Sequence, residues 1–307
     1  MSDANLFRID GGKVRKIERS AVGLERSLQR LIENNIEEML GVRLLATEYS
    51  TGKTHAGRID TLGIDENCCP VIIEYKKAIN HAVINQVLFY LAWLRDHQAE
   101  FKLKVLEKLG KKEANEIDWE GTRLLCIAAD FKRRDEHAVR EIDRNIELIR
   151  YQRFGDDLLL LELVNRVAAS DESRLPSAST PSRTPERGSV KSALQKRDEL
   201  SPELRDVYEE LSAFLRALGD DVQEKTLRHC IAYRRLKNFA SIEFHPTKGC
   251  LTTHVKIDPS TITLEKGFTR DVSGLGHQGV GDLRIEIFDR KQLEKAKPLF
   301  VKGYAAS

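Results

Sequence analysis

No stretch of this 307-residue chain approaches the ~20 consecutive apolar residues needed to cross a bilayer. The opening MSDANLFRIDGGKVRK likewise lacks the apolar core of a secretory signal. A cytoplasmic protein with no membrane partner is the expectation. Cysteine is sparse: Cys68, Cys69, Cys126, Cys230 and Cys250, with no C-x-x-C pair. That spacing excludes a zinc ribbon or a cysteine-bound iron–sulfur cluster, and the vicinal Cys68–Cys69 pair is too strained for a routine disulfide. Reduced thiols fit the cytosol. A strong charge of one sign is also missing, since 50 Lys and Arg face 48 Asp and Glu, a formal net charge of +2. Affinity for nucleic acid would therefore have to come from local groups rather than from the field of the whole molecule. There is no internal repeat. The glycine-dense GLGHQGVGD at 274–282, which holds His277, matches neither a Walker nor a dinucleotide fingerprint, and a tight connection is its plainer reading.

What is present is a globular composition, 41% hydrophobic and 32% charged, long enough for two domains. Residues 169–200, containing SDESRLPSASTPSRTPERGS, hold too little apolar surface to offset the entropy of ordering and read as a flexible linker. The spacing places one domain at 1–168 and a smaller α+β domain at 201–307. In the first, periodicity predicts a helix over 21–40, strands at 42–48, 57–64 and 70–77, and helices at 81–97 and 99–110. A strand at 122–129, a helix over 135–150 (Ala138, Ile142, Ile146 and Ile149 aligned) and a strand at 157–164 complete an α/β layer architecture. In the second, helices are predicted at 202–218, 222–233 and 290–297. Strands are predicted at 239–245, 250–257, 262–265 and 283–288.

The residues that point to chemistry lie on the 57–77 hairpin. Asp60 sits in its first strand, and Glu74 and Lys76 sit two apart in its second, on one face of the sheet. Charged side chains among Val71, Ile72 and Ile73 are costly to bury unless paired or bound to an ion. Two carboxylates can hold Mg²⁺ or Mn²⁺, which favour oxygen ligands, and such an ion can polarise a phosphodiester and activate water. A lysine beside them can orient the water or stabilise the developing oxyanion. Glu25 shares the inward face of the first helix with Leu28, Ile32, Ile36 and Met39, and an acid there needs a partner. Gln86 and Tyr90, four apart, project together from the helix after the hairpin and could reach a nucleotide. Arg58, within GRID, is a third candidate for that contact.

The set formed by Glu25, GRID ending at Asp60 and IIEYK with Glu74 and Lys76 resembles the PD-(D/E)XK nuclease superfamily. Gln86-x-x-x-Tyr90 is similar to the QxxxY motif of its RecB-like branch, and GRIDTLGIDENCCPVIIEYKK resembles NucS-type endonucleases. The resemblance spans about residues 20–165. It implies a PD-(D/E)XK core, an αβββαβ mixed sheet flanked by helices, and a metal-dependent DNA endonuclease acting on phosphodiester bonds. It implies metal ligation by Asp60 and Glu74, assistance from Glu25, a catalytic Lys76, and a homodimer where both strands are cut. Tyr75 departs from the small or apolar residue common in the middle of that triplet. The C-terminal half, through KTLRHCIAYRRLKNFASIEF and RDVSGLGHQGVGDLRIEI, resembles an uncharacterised domain found behind such nuclease heads. Some members carry a transport-protein label, which fits poorly with a chain lacking a membrane span. The resemblance supplies a domain boundary and little chemistry; beside a cutting domain, recognition of substrate or partner is the role expected of this half.

Two other readings predict different behaviour. A non-cleaving nucleic-acid-binding module on the same fold would bind with salt sensitivity and leave strands intact. An interaction protein would use the acids only in structural ion pairs. The cluster Arg228, Arg234, Arg235 and Lys237, among Tyr233 and Phe239, could grip phosphates, but a solvated helix face with core aromatics is the plainer reading.

Overall fold

The computed structural model describes residues 4–20, 25–76, 82–142, 144–164, 191–273 and 281–307. The linker segment 165–190 and the glycine-dense 274–280 lie outside the described residues. The chain divides into two compact units. One comprises Met1–Ile64, Pro70–Glu116 and Thr122–Asn165, the other Asp65–Cys69, Ile117–Gly121 and Arg166–Ser307.

The first unit opens with a hairpin of β1 (Leu6–Asp10) and β2 (Lys13–Ile17) that the periodicity did not predict. Then come α1 (Glu25–Asn34), α2 (Ile36–Leu40), β3 (Val42–Ser50), α3 (Gly52–His55), β4 (Arg58–Asp65) and β5 (Pro70–Lys76). Helices α4 (Ala82–Asp96), α5 (Gln98–Leu109) and α6 (Lys111–Asn115) lead to β6 (Arg123–Ala128), α7 (Arg133–Glu141), β7 (Ile146–Phe154) and β8 (Leu158–Leu163). Strands β3 to β8 form one mixed sheet in chain order, with β5, β6 and β7 parallel and the β4–β5 and β7–β8 pairs antiparallel. The parallel centre is sealed on both faces, and Val71–Tyr75 and Arg123–Ala128 are wholly buried. This is why those strands read as unbroken apolar runs rather than as alternation. Gly63 permits the approach of β3 to β4, because a Cβ there would stand 2.5 Å from Val42 Cγ1 and 2.9 Å from the Arg43 carbonyl oxygen. The predicted helix at 21–40 is divided by Asn35 into α1 and α2, and Gly41, at φ 64°, closes α2 in the left-handed conformation that glycine adopts freely.

The expected helix over 135–150 is a mistake of period. Helix α7 stops at Glu141, Ile142 is extended (φ −87°, ψ 116°), and Ile146 begins β7 parallel to β6. The spacings that align Ile142, Ile146 and Ile149 on a helix belong here to a strand buried along Ile146–Tyr151. Burial on both sheet faces outweighs propensity there. Inside this region Arg123 Nε and Nη2 donate to the Glu147 carboxylate at 2.9 and 3.0 Å, a bidentate pair almost free of solvent.

In the second unit the chain is helical from α8 (Ala193–Asp198), within the stretch read as linker, and continues through α9 (Pro202–Arg216). Ser201 caps α9 by accepting from the Leu204 N–H, with Pro202 in its first turn. Strands β9 (Gln223–Thr226), β10 (Ile231–Arg234), β11 (Asn238–His245), β12 (Cys250–Val255), β13 (Thr269–Asp271) and β14 (Leu283–Ile287) form an antiparallel sheet, ordered β13-β14-β12-β11-β10-β9. The expected helix at 222–233 is therefore replaced by β9 and β10, whose backbones pair with each other. In place of a strand at 262–265 the chain has a 3₁₀ turn at Pro259–Thr261 and then β13. The final helix α10 (Arg290–Ala305) runs through Pro298, where the sequence reading stopped it. The turn beyond the proline is fastened by Phe300 in the core, by Tyr304 Oη donating to Asp221 Oδ1 at 2.9 Å, and by the Arg235 guanidinium over the Tyr304 ring. The basic cluster follows its plainer reading in part. Tyr233 and Phe239 are core, Arg234 is buried beside Gln223, and Arg235 pairs with Asp221.

Candidate active site at the fork between two strands

Strands β4 and β5 pair in register from Ile64↔Pro70 to Thr61↔Ile73, where the ladder ends. Past that point side chains take over the backbone groups of β4. The Asp60 N–H donates to Glu74 Oε1 at 3.0 Å, and the Tyr75 N–H donates to Asp60 Oδ2 at 3.0 Å. The Asp60 carbonyl accepts from Gln29 Nε2 at 3.0 Å. Two residues earlier, Tyr90 Oη donates to the Arg58 carbonyl at 2.8 Å and accepts the Arg58 N–H at 3.2 Å. The two strands thus separate into a fork whose backbone polar groups are satisfied by side chains, as buried amides must be.

The fork gathers four of the expected residues. Lys76 Nζ lies 3.8 Å from Glu25 Oε1 and 3.9 Å from Glu74 Oε2. Asp60 is half-buried and shares both reciprocal hydrogen bonds with β5. Glu74 is fully buried, and its Oε2 has no hydrogen-bond partner. Burial and the adjacent Asp60 carboxylate push the Glu74 carboxyl up to about 8, against the opposing pull of the Asp60 N–H and of Lys76. The same buried charge, after burial itself, pushes up the thiol of Cys126, which stands beside Glu74 on β6.

Lys76 stands near Oε2 without hydrogen-bonding it, and a buried carboxyl oxygen left without a hydrogen bond is costly. A divalent cation held by Asp60 and Glu74 fits that requirement, and two protein carboxylates suffice for Mg²⁺, which keeps several waters and takes oxygens from substrate. Among the described residues no group of three or more His, Cys, Asp or Glu side chains is placed to share an ion. Asp60 and Glu74 are the two carboxylates of the fork that could offer oxygens to such an ion.

The remaining candidates form a support beside the fork. Gln86 Nε2 donates to Tyr90 Oη at 3.2 Å, so that hydroxyl, with one proton and two lone pairs, is fully used. Tyr90 is buried, and its ring packs where a Cβ on Gly57 would stand 2.7 Å away. The Arg58 guanidinium is exposed and turns to Glu48 Oε2 at 2.9 Å. Tyr75 points to the other face, with Oη 3.4 Å from Thr61 Oγ1, and burial pushes its phenol up. Thr61 in turn bonds Glu33, which accepts from Gln29 at 3.2 Å.

Similarity to known proteins is of three kinds. The family described as a domain of unknown function, DUF5655, matches residues 190–304. An uncharacterized protein of Haemophilus influenzae is 26% identical over 294 residues, covering 94% of this chain and 95% of its own. Two solved structures are similar in part. One is a repair endonuclease from Pyrococcus abyssi, at 19% identity, 41% of this chain and a TM-score of 0.27. The other is a complex of EndoMS with double-stranded DNA, at 22% identity, 43% of this chain and a TM-score of 0.29. The chain spans just under half the length of each, 46% and 47%. The site's chemistry has to come from its own residues.

Gln29, which holds the Asp60 carbonyl, is the residue of the fork that the sequence reading passed over. It follows Glu25 by four positions and is buried at 6% exposure, so both side chains leave the same face of α1 toward the fork. A glutamine at an inward helical position is the signal that marks it.

Proposed function

We propose that the first unit is a divalent-metal-dependent nuclease that hydrolyses phosphodiester bonds, with DNA as substrate and cleavage within the strand. The observation that carries this reading is the buried Glu74 carboxyl group, with one oxygen lacking a hydrogen-bond partner, between Asp60 and Lys76. Asp60 and Glu74 would hold Mg²⁺ or Mn²⁺, which supplies Lewis acidity toward the phosphate and an activated water. Lys76 Nζ lies between Glu25 and Glu74, where it can balance charge developing on the phosphate oxygens. Glu25 orients that nitrogen from α1. Gln29 and Tyr90 fix the backbone on either side of Asp60, so its carboxylate position is set by three elements rather than by sheet pairing alone. In this reading the second unit recognises substrate or partner.

The test is a panel of labelled DNA and RNA duplexes, single strands and branched forms, incubated with the full chain and Mg²⁺ or Mn²⁺. Scission of DNA should require the metal and disappear in Asp60→Ala and Lys76→Ala. Metal-dependent scission that persists in both variants removes the assignment. Salt-sensitive binding with no scission would instead establish the non-cleaving module.

A further inference from the structure

The N-terminal hairpin is a ribbon without a core. All ten residues of β1 and β2 are exposed except the half-buried Ile17. Phe7, Ile9 and Val14 are 50%, 74% and 64% exposed. A lone two-stranded hairpin is marginal in water, yet the sequence specifies this one. Gly11 and Gly12 take φ of 53° and 81°, the two positive values a tight hairpin turn demands. Its root is fastened to the sheet, with the Ser20 N–H donating to the Arg153 carbonyl at 3.0 Å and the Gly155 N–H to the Glu18 carbonyl at 3.1 Å.

Its charge is arranged for an anion. Arg8 stands directly opposite Arg15, and Lys13 and Lys16 complete the strand. Facing like charges destabilise a hairpin, and only Arg8 reaches an acid, Asp157 at 3.6 Å. Lys13 stands opposite Asp10, while Arg15 and Lys16 face no acid across the hairpin and make no ion pair among the described residues. Phe7, Ile9, Val14 and Lys16 share one face, and Arg8, Lys13 and Arg15 the other. A two-stranded ribbon of this size fits the major groove, where both faces meet phosphates or base edges.

Its place suits the fork. Lys76, Ala128 and Arg150 stand level across the parallel strands, and β7 continues past that level to Phe154, which bridges Arg19 at the hairpin's root. Four residues along and two strands across give roughly 16 Å from Lys76, about five base-pair steps.

We propose that the Leu6–Ile17 hairpin binds the phosphates and groove of a nucleic-acid duplex lying across the Asp60–Glu74–Lys76 fork. The location of that duplex rests on the nuclease reading, whereas the binding itself does not. The test uses the full chain in EDTA, so nothing is cut, with a short labelled DNA duplex titrated across a salt series. Lys13→Glu/Arg15→Glu/Lys16→Glu should weaken binding about 100-fold at ~0.1 M salt and lower the log–log salt slope by about 3. Phe7→Ser/Ile9→Ser should weaken it with the slope unchanged. Circular dichroism melting of each variant should match wild type, since the altered residues lie outside any core. Unchanged affinity and slope in the triple variant overturn the inference, as does a wild type that binds no duplex. A Phe7→Ser/Ile9→Ser variant that only splits a dimer, read by light scattering, also overturns it, by assigning the ribbon to a second copy of the chain. Cleavage by wild type and its loss in Lys76→Ala report on the fork independently.

Discussion

The two halves of the β4–β5 hairpin are built from the same strands and held by opposite means. From Thr61 to Ile64, and from Pro70 to Ile73, the backbones pair with each other and every residue is buried. From Arg58 to Asp60, and from Glu74 to Lys76, the strands part, and side chains of α1, α4 and the opposite strand satisfy the peptide groups. The paired half needs only apolar side chains of the right size. The forked half needs particular atoms in particular places, and in return it keeps a carboxylate without solvent and a lysine within reach. Charge can be concentrated next to a core if the neighbouring half of the same strands supplies the stability.

Substitutions in the two halves should therefore separate activity from stability. In the fork, Lys76→Ala should lower metal-dependent cleavage about 100- to 1,000-fold while shifting the unfolding free energy by less than about 1 kcal/mol. In the paired half, Leu62→Ala should destabilise the chain by about 2–5 kcal/mol in a urea titration while the folded fraction keeps its activity. A Leu62→Ala variant as inactive and as stable as Lys76→Ala would erase the distinction.

The forked half should also respond to pH. Glu74 has a folded-state pKa of about 8, above its ordinary value of 4.5, so the folded chain holds a proton that the unfolded chain has released across that interval. Its contribution is full below the lower value and is lost as pH rises through the upper one. Without metal, stability should fall between about pH 5 and 8, by as much as about 4 kcal/mol from this group. Glu74→Gln should flatten that slope in denaturant titrations run in EDTA.

Smaller effects should come from the supports. Tyr90→Phe removes the hydroxyl that holds both polar groups of Arg58, and should cost about 1–3 kcal/mol and reduce the cleavage rate without changing its metal requirement. Arg58→Ala breaks only an exposed pair with Glu48, and should cost about 0–1 kcal/mol.

Much of the fork was legible before any coordinates. Asp60, Glu74 and Lys76 stand out because charged residues interrupt a run that otherwise belongs inside, and the two-residue spacing sets Glu74 and Lys76 on one face. Glu25 stood out for the same reason on a helix. The supports were harder to read. The roles of Tyr90 and Gln29 depend on where β4 leaves its partner, and nothing in the spacing of GRID marks the last paired residue. Strand β7 was hidden because a chain buried on both faces carries no alternation, and its isoleucines happened to fall at helical intervals. The β1–β2 hairpin was hidden because it buries nothing, so no apolar periodicity announces it; only Gly11 and Gly12 did.

The most direct test of the account is calorimetric titration of Mn²⁺ into the full chain at pH 7, repeated in buffers of different ionisation enthalpy. If Glu74 ligates the ion from a protonated state, binding should release close to one proton, and Glu74→Gln should abolish both the release and most of the affinity. Binding that releases no proton, or release that survives in Glu74→Gln, would contradict it.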